Sequence, residues 1–227
     1  MIDALTHLDN GVRDSIPCEQ NKLLTCRRCL NTVKPMLNAV KTLPDRAVEA
    51  AFAICRDQGT EAVSMRKVGR ALSVSGPALY HHFVDKQELL AAVADHGFQL
   101  FELRLRGIKA RDPERRIRAI IHAYRDFAAD HRRLFNLMFV EPRASARRFP
   151  TDFAEGKSSV FNLLRTTVDE LLVARRRSSG PSSLELAQNI WALLHGQTML
   201  WLAGRFDDDA TFRRVLDRSI ARSIKAI

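Results

Sequence analysis

The chain has 227 residues, a hydrophobic fraction of 46% and a formal charge of +10, with 36 Lys and Arg against 26 Asp and Glu. That composition excludes a disordered chain and gives enough length for one or two domains with a substantial core. No apolar run approaches the ~18 residues of a membrane span, and early acids at Asp3 and Asp9 argue against a signal peptide, so a reducing cytoplasmic setting is expected.

Residues 1–43 carry no persistent hydrophobic period and read as a poorly ordered arm or upstream extension, in which Met36 is a candidate initiator. Cys26 and Cys29 have a zinc-knuckle spacing, but Cys18 and His7 would complete the set only loosely. Free thiols are expected there, and no metal or cofactor. A helix then opens at Pro44 and Asp45, with Asp45 as its cap and Ala47, Val48, Ala51, Phe52, Ile54 and Cys55 on one face, and stops at Gly59. Ser64 caps a short helix whose inward face is Val68, Ala71 and Leu72. Residues 73–75 form a turn with Val74 as its inward plug. Ser75 is a cap for the next short helix, which carries Gly76 and Pro77 in its first turn and continues through Phe83. Asp85 caps a longer helix through Leu105.

The remainder reads as helical throughout. Helices are expected from Asp112–Pro113 through Phe127, over 131–140, over 151–175, over 184–203 with Ser183 as cap, and from Asp207 or Asp208 to about Ile224. Residues 143–150 and the serine-rich stretch 176–183 read as loops. The fold class is therefore all-α, with three units: an arm at 1–43, a helix-turn-helix unit at 44–92, and a helical regulatory and dimerisation unit at 93–227.

Two short helices around a tight turn can brace one helix in the major groove of DNA. The slim, polar start of the second helix offers Ser75, Gly76, Pro77 and Ala78 to base edges, followed by Tyr80, His81 and His82. Arg66 and Arg70 on the bracing helix, and Lys86 at the start of the next, suit phosphate. Residues 44–90 hold six basic and six acidic residues, whereas 91–150 hold 13 against 7. Recognition would then rest on a few placed groups rather than on bulk charge. The same two helices also suit an ordinary helical core.

Residues 45–93 resemble the DNA-binding domain of the tetracycline-repressor (TetR) family of transcriptional regulators. The resemblance is carried by AAFAICRDQG at 50–59 and VSMRKVGRALSVSGPALYHHFVDKQELL at 63–90, above all by Leu79, Tyr80, His82, Phe83, Lys86, Leu89 and Leu90. It implies that Tyr80 and His82 contact DNA phosphates and that Lys86 lies near the backbone. Two positions depart from the family pattern: Gly69 stands where alanine is usual, and Ser73 where the turn usually has glycine. WALLHG at 191–196 and LWLAGRF at 200–206 resemble the C-terminal helix of one TetR subgroup, with a WHG-like C-terminal domain. That likeness implies that the last two long helices pair with their equals in a second subunit as a four-helix bundle.

A symmetric operator calls for such a homodimer, and Leu186, Ile190, Leu193, Leu194, Trp201, Phe212, Val215 and Leu216 are its candidate contacts. His195 is expected to hydrogen-bond within a helix contact, and Gly196 to permit close packing. Phe127, Phe135, Met138, Phe139, Phe161, Leu164 and Trp191 are candidate walls of an apolar cavity, with His122, Tyr124 and Gln197 as its polar contacts. The expected function is a homodimeric repressor that binds a double-stranded DNA operator and is released by a small apolar or amphipathic ligand. The alternative is a helical adaptor that has lost DNA binding. An enzyme has no support, since no acid pair, nucleophile with a base, or phosphate loop is evident.

Overall fold

The computed structural model describes residues 41–227. The arm, with Met36, His7, Cys18, Cys26 and Cys29, therefore lies almost wholly outside the described residues. Thr42–Ile227 form one compact unit of ten α-helices and a single 3-10 turn at Thr60–Ala62, with no strand among the described residues. In chain order the helices are α1 (Leu43–Gln58), α2 (Met65–Leu72), α3 (Gly76–Leu79), α4 (Lys86–Arg106) and α5 (Pro113–Asp130). There follow α6 (Arg132–Phe139), α7 (Thr151–Ala154), α8 (Ser159–Ala174), α9 (Ser183–Leu202) and α10 (Asp209–Ala226). The all-α class read from the sequence holds.

The caps follow from sequence, with shifts of a few residues. Thr42, not Asp45, caps α1; Asp45 is the third residue of a capping box, and its carboxylate accepts from the Thr42 N–H at 3.1 Å. Asp85, Asp112 and Asp208 cap α4, α5 and α10 as expected. Ser182 caps α9 in place of Ser183, again through a box with Glu185. The single helix expected over 151–175 is two, α7 and α8. Gly156 parts them at φ +76°, and the Asn162 side chain donates to its carbonyl at 2.6 Å.

Helices α1, α2 and α3 gather at one end on Ala47, Ala51, Val68, Leu79 and Phe83, all buried. The long helix α4 starts in this unit and runs on into the body, so the expected boundary at 92/93 falls within it. There α4 packs against α5, α6 and α8, while α9 packs on α8, α5 and α10. Helix α6 also touches α1. Its Arg133 donates to the Asp57 carbonyl at 2.7 Å, at the negative end of the α1 dipole. The arginine-rich stretch after residue 103 is largely paired: Arg104 with Asp130 at 3.0 Å, Arg116 with Glu170 at 2.7 Å, Arg118 with Glu114 at 2.8 Å. Its contribution to the net charge is thus partly compensated locally.

Candidate nucleic-acid interface and effector cavity

Helix α2 is held by Met65, Val68 and Gly69, which are buried; Ala71, expected inside, is exposed, and Leu72 is half-buried. The Ser64 hydroxyl accepts from the Lys67 N–H at 3.2 Å. Its far end closes in a Schellman motif. Ser73 adopts the left-handed conformation at φ 58° and ψ 37°, its N–H reaching the Arg70 carbonyl and the Val74 N–H the Gly69 carbonyl at 2.9 Å. A Cβ built on Gly69 would stand 2.8 Å from the Val74 carbonyl oxygen, so the turn lies directly on α2.

Helix α3 is one turn long. The expectation that it continues through Phe83 is corrected: Tyr80, His81 and His82 form a turn, with the His82 and Phe83 N–H groups both on the Leu79 carbonyl at 3.0 Å. Ser75 occupies the cap position with extended backbone, but its side chain makes no capping bond. Its hydroxyl is therefore not committed to the helix. Leu79 and Phe83 anchor the segment inward. Around them Arg66, Ser75, Pro77, Tyr80, His81 and His82 are exposed, Tyr80 by 56%, and Gly76, Ala78 and Lys86 are half-buried. Position 76 lies against the bracing helix, since a Cβ built there would stand 3.6 Å from the Arg66 Cα. Arg70 is exposed on the same bracing helix. Lys86 is set by the cap of α4, where Asp85 accepts from the Glu88 N–H at 2.9 Å and Glu88 from the Val84 N–H at 2.5 Å. The nine candidate DNA contacts thus cluster around one short helix.

The body holds a partly open cavity of about 450 Å³. Six of the ten candidate ligand contacts line it: Tyr124, Met138, Phe139, Phe161, Leu164 and Trp191. The other four do not. His122 pairs with Asp217 at 2.9 Å on the surface, Gln197 donates to Ser219 at 2.9 Å, Phe127 is buried against Phe101, and Phe135 is buried against Tyr124, Phe139 and His195. Lining residues that the sequence reading did not place there include Phe98, Phe101, Phe153, Arg143 and Lys157.

Behind the cavity wall the Tyr124 hydroxyl lies 2.7 Å from His195 Nδ1, joining α5 to α9. Burial raises the Tyr124 pKa, so the phenol keeps its proton at neutral pH, and the direction of this bond follows the His195 tautomer. Burial also holds the His195 imidazole below its ordinary value of 6.5. An unfolded chain therefore binds a proton that the folded one refuses. This contribution to stability is complete above 6.5 and is lost as pH falls below it. Urea unfolding at about pH 7.5 and about pH 5.5 should show a larger acid loss in the native chain than in His195→Gln. His131, also depressed by burial, is common to both and cancels. Equal losses would refute this role for His195.

Four of the eight candidate dimer contacts, Ile190, Leu194, Phe212 and Leu216, are sealed in the subunit's own core. Leu186, Leu193, Trp201 and Val215 are half-buried. Gly196 does not serve close packing within the subunit: a Cβ built on it meets nothing within 4 Å. Among the described residues, no helix is long and apolar enough to cross a membrane, and no group of three or more His, Cys, Asp or Glu is placed to hold a metal.

A one-turn helix held outward by a second helix, on an all-helical body with a cavity between its helices, is the arrangement of a helix-turn-helix regulator. Residues 47–93 match the model of bacterial regulatory proteins of the tetR family, and residues 117–222 match that of the tetracyclin repressor-like C-terminal domain. The chain belongs to the TetR family of transcriptional regulators, with its helix-turn-helix as the DNA-binding unit. It is 23% identical over 174 residues to the uncharacterized HTH-type transcriptional regulator YobS of Bacillus subtilis (strain 168), covering 76% of this chain and 86% of that one. A protein of unknown function from Rhodococcus sp. RHA1 superposes with a TM-score of 0.66 at 25% identity, covering 84% and 98% of the two chains. BioQ, solved with its double-stranded DNA operator, superposes with a TM-score of 0.57 at 25% identity, covering 82% and 100%.

Proposed function

We propose that the protein is a homodimeric repressor that leaves its operator when a small apolar or amphipathic ligand fills the cavity. The observation that carries this reading is the sharing of helices between the two sites. Helix α4 begins at Lys86 beside the reading helix and continues to Phe98, Phe101 and Leu105 on the cavity wall. Helix α6 supplies Met138 and Phe139 to that wall and holds the end of α1 through Arg133. A ligand that spreads α4 from α6 tilts α1–α3 with them, and two heads so tilted no longer meet successive major grooves. Ligand and DNA then oppose each other by linkage, and each ~1.4 kcal/mol of differential affinity shifts the balance about tenfold. On this reading residues 44–92 read DNA and 93–227 regulate and pair, with α4 belonging to both.

The DNA contacts proposed are Arg66, Ser75, Gly76, Pro77, Ala78, Tyr80, His81, His82 and Lys86. The pairing face is narrower than the sequence suggested: Leu186, Leu193, Trp201 and Val215, joined by the exposed Ala192, Gly196 and Leu200 of α9. Tyr80→Phe and Lys86→Ala test the first set. Each should lower affinity for an operator selected from random DNA by about tenfold, the worth of one charge-assisted bond. Lys86→Ala should also flatten the salt dependence by about one unit of log K against log salt. Thermal stability and dimerisation should not move. A chain that selects no DNA sequence would favour the adaptor; unchanged operator binding in both variants would remove Tyr80 and Lys86 from the contacts.

A further inference from the structure

The apolar walls of the cavity do not account for Arg143. This arginine comes from the loop after α6 and lines the cavity. Its guanidinium lies over the Phe98 ring, 5.7 Å from the centroid. The one hydrogen bond of its side chain among the described residues runs from Nη2 to the Met138 carbonyl at 2.6 Å, while Nε is shut off from solvent with no acceptor. Burial lowers its pKa, but a guanidinium stays charged at neutral pH. A buried donor on a cation is costly to leave without a partner.

The other charges of the cavity are mostly spoken for. Lys157 is bound by Asp152 at 3.0 Å and Glu155 at 2.7 Å. Glu102 accepts from Arg106 and from the Ser159 hydroxyl. Arg147 and Asp95 line the same space, and Asp95 acts on Arg143 from beyond ion-pair reach. Arg143 and Arg147 against Asp95 leave a surplus of one positive charge. The surplus matches a single negative charge, and a dianion would exceed it. A neutral ligand would give the Arg143 guanidinium no counter-charge.

We propose that the cavity binds an alkyl monocarboxylate, with its carboxylate on the Arg143 guanidinium and its chain among Phe98, Phe101, Phe153, Phe161 and Trp191. This rests on reading the cavity as a ligand site. A volume of about 450 Å³ is room enough for a single medium-length chain.

Calorimetric titration of the full chain with octanoate, decanoate and dodecanoate, each against its 1-alkanol, tests the assignment. At least one carboxylate should bind about tenfold tighter than its alcohol. Arg143→Gln should erase that preference, acid and alcohol then binding alike, and Arg143→Lys should restore part of it. The assignment is overturned if no carboxylate binds, if alcohol and acid bind alike, or if Arg143→Gln keeps the preference. Operator release, followed in parallel, separates the two readings. A carboxylate held by Arg143 that leaves DNA bound removes the effector reading alone; release by the alcohol with no preference for the acid removes only the present assignment.

Discussion

Alanine at position 69 should destabilise the reading unit by about 1–2 kcal/mol, although alanine is the better helix former by about 1 kcal/mol. The added Cβ would stand 2.8 Å from the Val74 carbonyl oxygen, 3.2 Å from the Gly76 nitrogen and 3.3 Å from the Ser75 carbonyl carbon. All three are backbone atoms, so no side chain can swing aside. The turn must move, and the turn carries α3. Because α3 is a single turn, anchored inward by Leu79 and Phe83 and resting on α2 at Gly76, the displacement passes to Ser75, Pro77 and Tyr80. Operator affinity should fall by about a hundredfold, the loss of two or more placed contacts. Ser73→Gly should act oppositely. It relieves a non-glycine residue at φ 58° and should raise stability by up to about 1 kcal/mol. It also frees the turn to shift away from residue 69. In Gly69→Ala/Ser73→Gly, which restores both residues usual in the family, the loss should be less than the sum of the single effects. Urea midpoints and operator titrations of the four chains measure that coupling. Strict additivity, or a Gly69→Ala chain as stable as the native one, would show that the turn is not held by this contact.

The reading unit was legible because its signals are local. Ser64, Val68, the Leu79–Phe83 spacing and Asp85 each fix one turn of chain, and each is used as the pattern implied. What was not legible is where α3 ends. The apolar spacing of Leu79 and Phe83 fits a helix, but Val84 and Asp85 must be placed to let Glu88 and Asp85 cap α4, and the preceding residues tighten into a turn. In the body, periodicity finds helices but not which apolar face meets which neighbour. Phe135 and Phe139 are one turn apart on α6; the first is sealed in the core and the second lines the cavity. Helix α9 is apolar nearly all round, so its pattern could not separate Ile190 and Leu194, which are inside, from Ala192, Gly196 and Leu200, which are outside. Arg143 sits in a stretch with no period at all, and only the folded chain brings it to Phe98.

That outer face of α9 gives the second large effect. Gly196→Arg should yield a monomer with operator affinity reduced by at least about a hundredfold, because two linked half-sites are replaced by one. Within the subunit the substitution meets no obstacle, since nothing lies within 4 Å of a Cβ at this position. Helix propensity alone favours arginine over glycine there by just under about 1 kcal/mol. The subunit's own fold should therefore be intact or slightly firmer. The cost falls wholly on what covers the face, where Leu200 leaves 52% of its surface in water in the isolated chain and Ala192 and Gly196 present no bulk. A helix from a second subunit can approach such a face closely, and a guanidinium at its centre would be buried without a partner. Sedimentation velocity reads the change directly. The melting temperature of the native chain should rise with protein concentration, as for any folded dimer, and that of the variant should not. A Gly196→Arg chain that still sediments as a dimer and binds the operator as tightly as the native protein would place the subunit contact on another face.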